Sequence, residues 1–279
     1  MAAEEEFWVR FWGVRGTVPC PGPETVRYGG NTSCVEMRCG RNRLIFDAGT
    51  GLRMLGREWE RNGILNRAHI FLTHTHADHI NGLPFFRPAY VEHNCFEFWC
   101  GHLLRQGLRI KDVLGALMQP PYFPVPLDIM HACIAFHDFD AGATLEPVDG
   151  VRIRTTPLNH PGGATAYRVE FAGRVVCYVT DTEHREGRLD ANLLAFIDGA
   201  DIVIYDATYT DQEYPKYRGW GHSTWQEGIR LCEAASAGRF VAFHHDPDHD
   251  DATLDEIARE MEHQRAGSVV AREGLVLKP

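Results

Sequence analysis

No Cys-x-x-Cys pair occurs among the eight cysteines of this 279-residue chain, which stand at positions 20, 34, 39, 95, 100, 133, 177 and 232. That rules out the spacing of zinc ribbons and thioredoxin-like redox motifs. Met1 to Glu6 lacks the basic start and apolar core expected of a signal peptide, and no apolar run approaches the length of a membrane span. The expectation is a cytoplasmic protein with free thiols and no membrane partner. Positive charge is in short supply, with 28 Lys and Arg against 38 Asp and Glu for a net charge of -10, so extended nucleic acid is not an expected partner. Composition breaks, tandem repeats and low-complexity tracts are also absent, which argues for a single domain over 1–279.

What is present is concentrated in His74-Thr-His-Ala-Asp-His79. The run before it, Ala68 to Thr73, is short, apolar and β-rich, as a buried strand would be. If the backbone stays extended, His74 and His76 point to the same side, because strand side chains alternate. Asp78 and His79 then fall where the strand gives way to a turn or helix start. Four ligand-type side chains within six residues can serve two adjacent cations, since each tetrahedral site wants about four N, O or S ligands. A dinuclear metal centre is therefore expected. The plainer alternative, a histidine-rich surface turn, fits poorly with a position at the C-terminal end of an apolar strand, where α/β folds place their chemistry.

The same context recurs along the chain. Arg43 to Asp47 is a predicted strand leading through Gly49 to a helix from Leu52 to Arg61; Asp47 either caps that helix or accepts a hydrogen bond from behind the metal ligands. The loop from Gly13 to Gly30 is expected to border the site. His160 follows the strand Val151 to Thr156, and Asp181 follows a hairpin about Ala172-Gly173. Asp206 ends the strand Ile202 to Tyr205, and His244-His245 ends Phe240 to Phe243. Between these, the aromatic loop Tyr209 to Trp220 delivers His222 to the start of another helix.

Other stretches carry weaker signals. A helix from Arg109 to Met118 runs into Gln119 to Pro126, where four prolines hold Tyr122 and Phe123 in an extended segment. The region near 109–130 is thus a lid-like insertion or a packed connector. His93 and Cys95 with Cys100 and His102 could be drawn as a zinc site, but Phe96 to Trp99 between them reads as a strand. Thr253 to Glu256 has capping-box spacing for a closing helix, and Ser268 to Leu277 is expected to be one edge strand.

His74-x-His76-x-Asp78-His79, followed by His160, Asp181 and His244, resembles the metallo-β-lactamase superfamily, and the match runs from Asn31 to His244 in the superfamily's order. The fold class this implies is α/β, a four-layered αββα sandwich. Asn31-Thr-Ser33, His76-Ala-Asp-His-Ile-Asn-Gly-Leu-Pro84, Asp206-Ala-Thr208 and Gly221-His-Ser-Thr224 are most similar to segments of the ribonuclease Z-like phosphodiesterase branch. The resemblance implies that His74, His76 and His160 bind one metal, that Asp78, His79 and His244 bind a second, and that Asp181 bridges them. Two divalent ions are implied, Zn²⁺ or in some relatives Mn²⁺, with a bridging hydroxide as nucleophile. The catalytic set is Asp78, His222 and Asp206, with His222 as general acid oriented by Asp206, unless His222 only caps the next helix. Tyr122, Phe123, Tyr209 and His245 are candidate substrate contacts.

One departure from the family narrows the expectation. The tRNA-processing members carry a long arm between the third histidine and the bridging aspartate, and here that interval holds only a tight hairpin. A small phosphorylated substrate, a phosphodiester such as a cyclic nucleotide, is expected instead of tRNA. The alternatives are a thioester or lactone hydrolase on the same fold, ribonuclease Z-like RNA processing, and a nucleotide sensor without turnover. A homodimer is allowed for, with Trp220 and Trp225 as exposed interface aromatics.

Overall fold

A strand with apolar side chains on both faces must be covered on both sides, and the strand ahead of the histidine cluster is of this kind: Ile70 and Leu72 face one way, Phe71 the other, all fully buried. The computed structural model of the chain describes residues 6–63 and 67–279, so most of the segment read above for a signal peptide lies outside the described residues. Strands β1 (Phe7–Gly13), β2 (Cys34–Cys39), β3 (Asn42–Phe46), β4 (Arg67–Leu72), β5 (Cys95–Cys100) and β6 (Cys133–Asp138) lie side by side in one sheet. A second sheet takes β7 (Thr144–Val148), β8 (Val151–Leu158), β9 (Ala164–Phe171), β10 (Arg174–Val179), β11 (Ile202–Asp206), β12 (Arg239–Phe243) and β13 (Val269–Val270). The last strand, β14 (Val276–Leu277), returns to the first sheet beside β1.

The two sheets pack face to face over Phe11, Phe46, Phe71, Tyr167, Tyr178 and Phe243. Phe46 and Phe71 stack at 5.3 Å between centroids, and truncating such a ring to Ala costs about 3–5 kcal/mol. Outside the first sheet lie α1 (Gly51–Arg61), the short α2 (Ala77–Ile80) and α3 (Ile110–Leu117). Outside the second lie α4 (Ala191–Ile197), α5 (Trp225–Ala234) and α6 (Asp251–Gln264). This is the expected αββα sandwich. Strands β3 and β4 run parallel, as do β10, β11 and β12, so their C-terminal ends gather on one edge. Bonds across the sandwich pin that edge: Tyr167 OH donates to the Leu72 carbonyl at 2.6 Å, and Thr165 N to the Thr73 carbonyl at 2.9 Å.

Several local expectations are corrected. The segment 268–277 is two short strands in different sheets, because the chain crosses the open end of the sandwich between Val270 and Val276. Helix α6 starts earlier than the Thr253 signal suggested, with Asp250 as the cap accepting from Thr253 N. Strands β6 and β7 carry no strong sequence signal, since most of their side chains are only half-buried at a sheet edge. Trp225 is buried at 3% exposure in the core of the second sheet and offers no interface, whereas Trp220 is 61% exposed. In segment 109–130, Ile110, Leu114 and Met118 are buried against the outer face of the first sheet, while Tyr122 in the proline stretch is exposed. Cys95 and Cys100 end up at opposite ends of β5, too far apart to share one ion, and all eight cysteines are free. Among the described residues no helix is long and apolar enough to cross a membrane.

Candidate metal centre

Strand ends deliver the site. Asp47 follows β3, His74 follows β4, His160 follows β8, Asp181 follows β10, Asp206 ends β11 and His244 follows β12. Three of these, Asp47, Asp181 and His244, leave their strands with φ near 61–62°, a left-handed conformation that non-glycine residues adopt at a cost of about 1–3 kcal/mol. Such strain persists where surrounding structure enforces it, and here it marks three of the buried residues that meet at the cluster. Glycine permits close approach from the neighbouring loop: a Cβ on Gly16 would stand 2.3 Å from the His244 ring. The loop from Gly13 to Gly30 does border the site, since Thr17 N donates to Asp78 Oδ2 at 2.7 Å. Its arginines face elsewhere. Arg15 bonds to the carbonyls of Gly29, Asp246 and His249, and Arg27 pairs with Asp251 and Asp255.

Seven side chains converge as three overlapping groups: His74 with His76 and His160, His74 with His79 and Asp181, and Asp78 with His79 and His244. Within each group the ligand atoms lie within 4.8 Å of one another. Four of the imidazoles have one nitrogen occupied from outside. His79 Nδ1 stands 2.9 Å from Asp47 Oδ2, and His74 Nδ1 3.0 Å from Thr73 Oγ1. His160 Nδ1 stands 2.8 Å from the Gly221 carbonyl, and His244 Nδ1 3.0 Å from Thr208 Oγ1. Outer partners of this kind fix ring orientation and leave the other nitrogen turned inward. The inward nitrogens crowd together: His79 Nε2 is 3.3 Å from His244 Nε2, and His160 Nε2 is 3.0 Å from His76 Nδ1.

A divalent cation fits this donor set. His74 Nε2 is fully buried with no hydrogen-bond partner, an arrangement that costs free energy unless a ligand takes the lone pair. Asp78, Asp181 and Asp206 add three buried carboxylates to the same space, and buried charge must be paired. Burial, and then the neighbouring His79, pushes His74 well below its ordinary pKa. Burial also opposes a charge on His79, yet Asp181, Asp78 and Asp47 together lift it well above the ordinary value. The cluster attracts positive charge.

His222 lies beside this group, bonded through Nδ1 to Asp206 Oδ2 at 3.0 Å. Burial lowers its pKa, but the charge and hydrogen bond of Asp206, with help from Asp181, raise it to about 9. It does not cap the following helix, because Thr224 does so by accepting from Glu227 N at 3.1 Å. Asp47 is no cap either. It is buried and accepts from Thr73 N, Thr73 Oγ1 and Tyr178 OH, behind His79.

Of the candidate substrate contacts, Tyr209 is buried and meets His222 edge-on at 6.1 Å. His245 is corrected outright: it is 1% exposed, bonded to the Ala271 carbonyl at 2.8 Å, and faces the core beside Tyr28. The left-handed backbone at His244 and the bridge of His245 to Arg15 turn it away from the cluster. Phe123 rests edge-on against Phe85 at 5.9 Å, and Tyr122 is open to solvent; among the described hydrogen bonds and ring contacts neither reaches the cluster. Sequence reasoning missed Thr73, Thr208 and Glu183. The Glu183 carboxylate accepts from Gly219 N and Gly221 N at 2.8 and 2.7 Å, holding the loop that carries His222. Thr73 and Thr208 had a usable signal, a hydroxyl one residue before His74 and two after Asp206.

A family model described as the beta-lactamase superfamily domain matches residues 42–245, from β3 through the strand that ends in His244. The chain belongs to this superfamily. Within the superfamily it is similar to ribonuclease Z of Halorubrum lacusprofundi, 35% identical over 247 residues, spanning 73% of this chain and 77% of that one. Ribonuclease Z of Haloarcula marismortui is 25% identical over 309 residues, spanning 95% and 94%. Among solved structures, the metallo-beta-lactamase fold protein YhfI from Bacillus subtilis superposes with a TM-score of 0.72 at 19% identity, over 98% of this chain and 99% of that one. A diphosphatase from the PhnP family gives a TM-score of 0.71 at 18% identity, over 98% of each. The αββα reading and the ribonuclease Z-like affiliation both hold, and the chain is a superfamily hydrolase with a cluster suited to divalent metal.

Proposed function

We propose that this chain is a phosphodiesterase whose His and Asp side chains hold two divalent ions, both Zn²⁺ or alternatively both Mn²⁺, and that it cleaves a small phosphodiester such as a cyclic nucleotide. The observation that carries the reading is the division of the Asp181 carboxylate. Its Oδ2 faces His74 and His160 at 3.6 and 3.7 Å, and its Oδ1 faces His79 and His244 at 3.2 and 3.3 Å. A carboxylate can bridge two cations when each oxygen has its own set of nitrogens, here His74, His76 and His160 on one side and His79, His244 and the Asp78 oxygen on the other. Two cations held by these residues would supply activation of water as nucleophile and neutralisation of charge developing on phosphorus.

The chain's own residues supply the remaining steps. Asp206 holds His222 by Nδ1, which leaves the His222 Nε2 proton for the departing alcohol oxygen. Asp206 is itself fixed by Thr182 N at 3.1 Å and by Thr208 Oγ1 at 2.7 Å, so the imidazole cannot swing freely. Ribonuclease Z relatives and a diphosphatase of similar fold support phosphoester chemistry. A small substrate is supported by the interval between His160 and Asp181, which is filled by β9, a two-residue turn at Ala172-Gly173 and β10, with no protruding arm. The net charge of -10 points the same way. A cytoplasmic location belongs to the same reading and is consistent with eight free thiols.

The test is metal analysis of the purified protein together with turnover of 3′,5′- and 2′,3′-cyclic nucleotides, a precursor tRNA and a thioester. Two metals per chain with cleavage of a cyclic nucleotide is the expected result. Thioester turnover with phosphodiesters untouched would overturn the reading, and processing of the precursor tRNA alone would move the substrate to RNA.

A further inference from the structure

Trp220 breaks the usual rule for large aromatics. It is 61% exposed, yet it sits two residues from His222 in a loop with little freedom. The glycines on either side of it, Gly219 and Gly221, both donate their backbone N–H to the one Glu183 carboxylate. Gly221 is further pinned, because its carbonyl stands 2.8 Å from His160 Nδ1. The indole is also the outer end of a ladder of rings. It meets Tyr217 edge-on at 5.4 Å; Tyr217 stacks on Tyr209 at 4.4 Å with planes 6° apart; Tyr209 meets His222 at 6.1 Å. The ladder runs from the buried Tyr209 through the half-buried Tyr217 to the open Trp220. An indole held rigidly in water has lost apolar burial without gaining mobility, a cost that a stacking ligand would offset.

We propose that Trp220 is the stacking surface for a planar aromatic ring of the substrate, which makes that substrate a nucleobase-bearing phosphoester. This rests on the phosphodiesterase reading and narrows it. His222 and the indole stand on the same loop and are joined through Tyr209 and Tyr217, so a nucleotide whose phosphate lies at the cluster would lay its base along the ladder toward its outer end. Stacking recognises any base through its π-face, so the site accepts the class and does not select one member.

The experiment is calorimetric titration of the zinc-loaded enzyme with adenosine 5′-monophosphate and with ribose 5-phosphate, which differ by the base, for wild type, Trp220→Ala and Trp220→Phe. The expected result is about tenfold tighter binding of the base-bearing ligand in wild type, lost in Trp220→Ala and largely kept in Trp220→Phe. Equal affinity for both ligands in wild type overturns the proposal, as does an advantage that survives in Trp220→Ala. A uniform loss for both ligands, accompanied by a fall in solution mass, also overturns it and assigns Trp220 to a dimer contact. Loss of the base advantage in an enzyme that cleaves no phosphodiester leaves Trp220 as a base-stacking residue and removes the phosphodiesterase reading instead.

Discussion

Asp206 Oδ2 lies 3.0 Å from His222 Nδ1, while the other oxygen of the same carboxylate accepts from Thr208 Oγ1, which in turn stands 3.0 Å from His244 Nδ1. One buried carboxylate therefore orients both His222, the proposed proton donor, and an imidazole of the His/Asp cluster. Removing His222 should hurt only the proton step, whereas removing Asp206 should hurt that step and metal retention together.

The cost of His222→Ala should depend on the leaving group. A sugar or alkyl alcohol departs poorly as an alkoxide, so its ester should lose about 10²–10⁴-fold in kcat, the usual share of general acid catalysis. A p-nitrophenyl ester leaves unaided and should lose far less. Rates on the two ester types in the same metal-loaded variant check this, and equal losses would place His222 in binding or folding.

Metal retention should fall in graded fashion around the cluster. Asp181→Ala removes the oxygens facing both nitrogen sets and should drop metal content below one ion per chain. Thr208→Val keeps every inward nitrogen but loosens His244, and outer-partner changes of this type cost about 10–100-fold in affinity. Competition with a chromogenic chelator measures both. An unchanged affinity in Thr208→Val would mean that the bond orienting His244 does not matter to the cluster.

The sequence made the inner ring of the site legible and much of the outer ring opaque, for a physical reason. His74, His76, Asp78 and His79 are local in sequence, and His160, Asp181 and His244 each follow an apolar strand, so strand ends on one edge bring them together without further information. Glu183 reaches Gly219 and Gly221 across 36 and 38 positions, a pairing set only by how two loops pack. His245 shows the opposite failure, because chemistry in a side chain says nothing about which face of the strand end it takes. Strands β6 and β7 were missed since edge strands with half-exposed residues lose the burial pattern that makes a strand readable.

Acid should loosen the loop that carries the ring ladder. Burial raises the Glu213 pKa, but the His249 hydrogen bond at 2.9 Å and the bonds from Thr210 bring it down to about 2. Folding thus favours ionised Glu213, so its contribution is complete above the ordinary glutamate range and disappears as pH falls toward the folded value. Glu213→Gln should lower Tm at pH 6, and the gap to wild type should close between about pH 4.5 and 2. Parallel melting series for the two proteins over that range check it; a gap independent of pH would mean that charge on Glu213 is irrelevant to the loop.

Gly221→Ala should separate the two halves of the cluster. The added Cβ would stand 2.3 Å from Pro161 Cδ and 2.4 Å from His160 Nδ1, and the residue already has φ of 89°. Left-handed backbone alone costs an alanine about 1–2 kcal/mol, so a control is needed: Gly187→Ala has φ of 73° and nothing within 4 Å of its Cβ. Both variants should lose a few degrees of Tm from backbone strain. Only Gly221→Ala should also displace His160, because the His160 ring is the nearest movable neighbour, and with it weaken the nitrogen set of His74, His76 and His160. Asp78 and His79 lie on α2 and His244 follows β12, away from Gly221, so these residues should keep their ion and metal titration should show one tight site and one weakened site. Two tight sites in Gly221→Ala would mean that His160 holds its place by strand β8 alone and that Gly221 is required only for the turn.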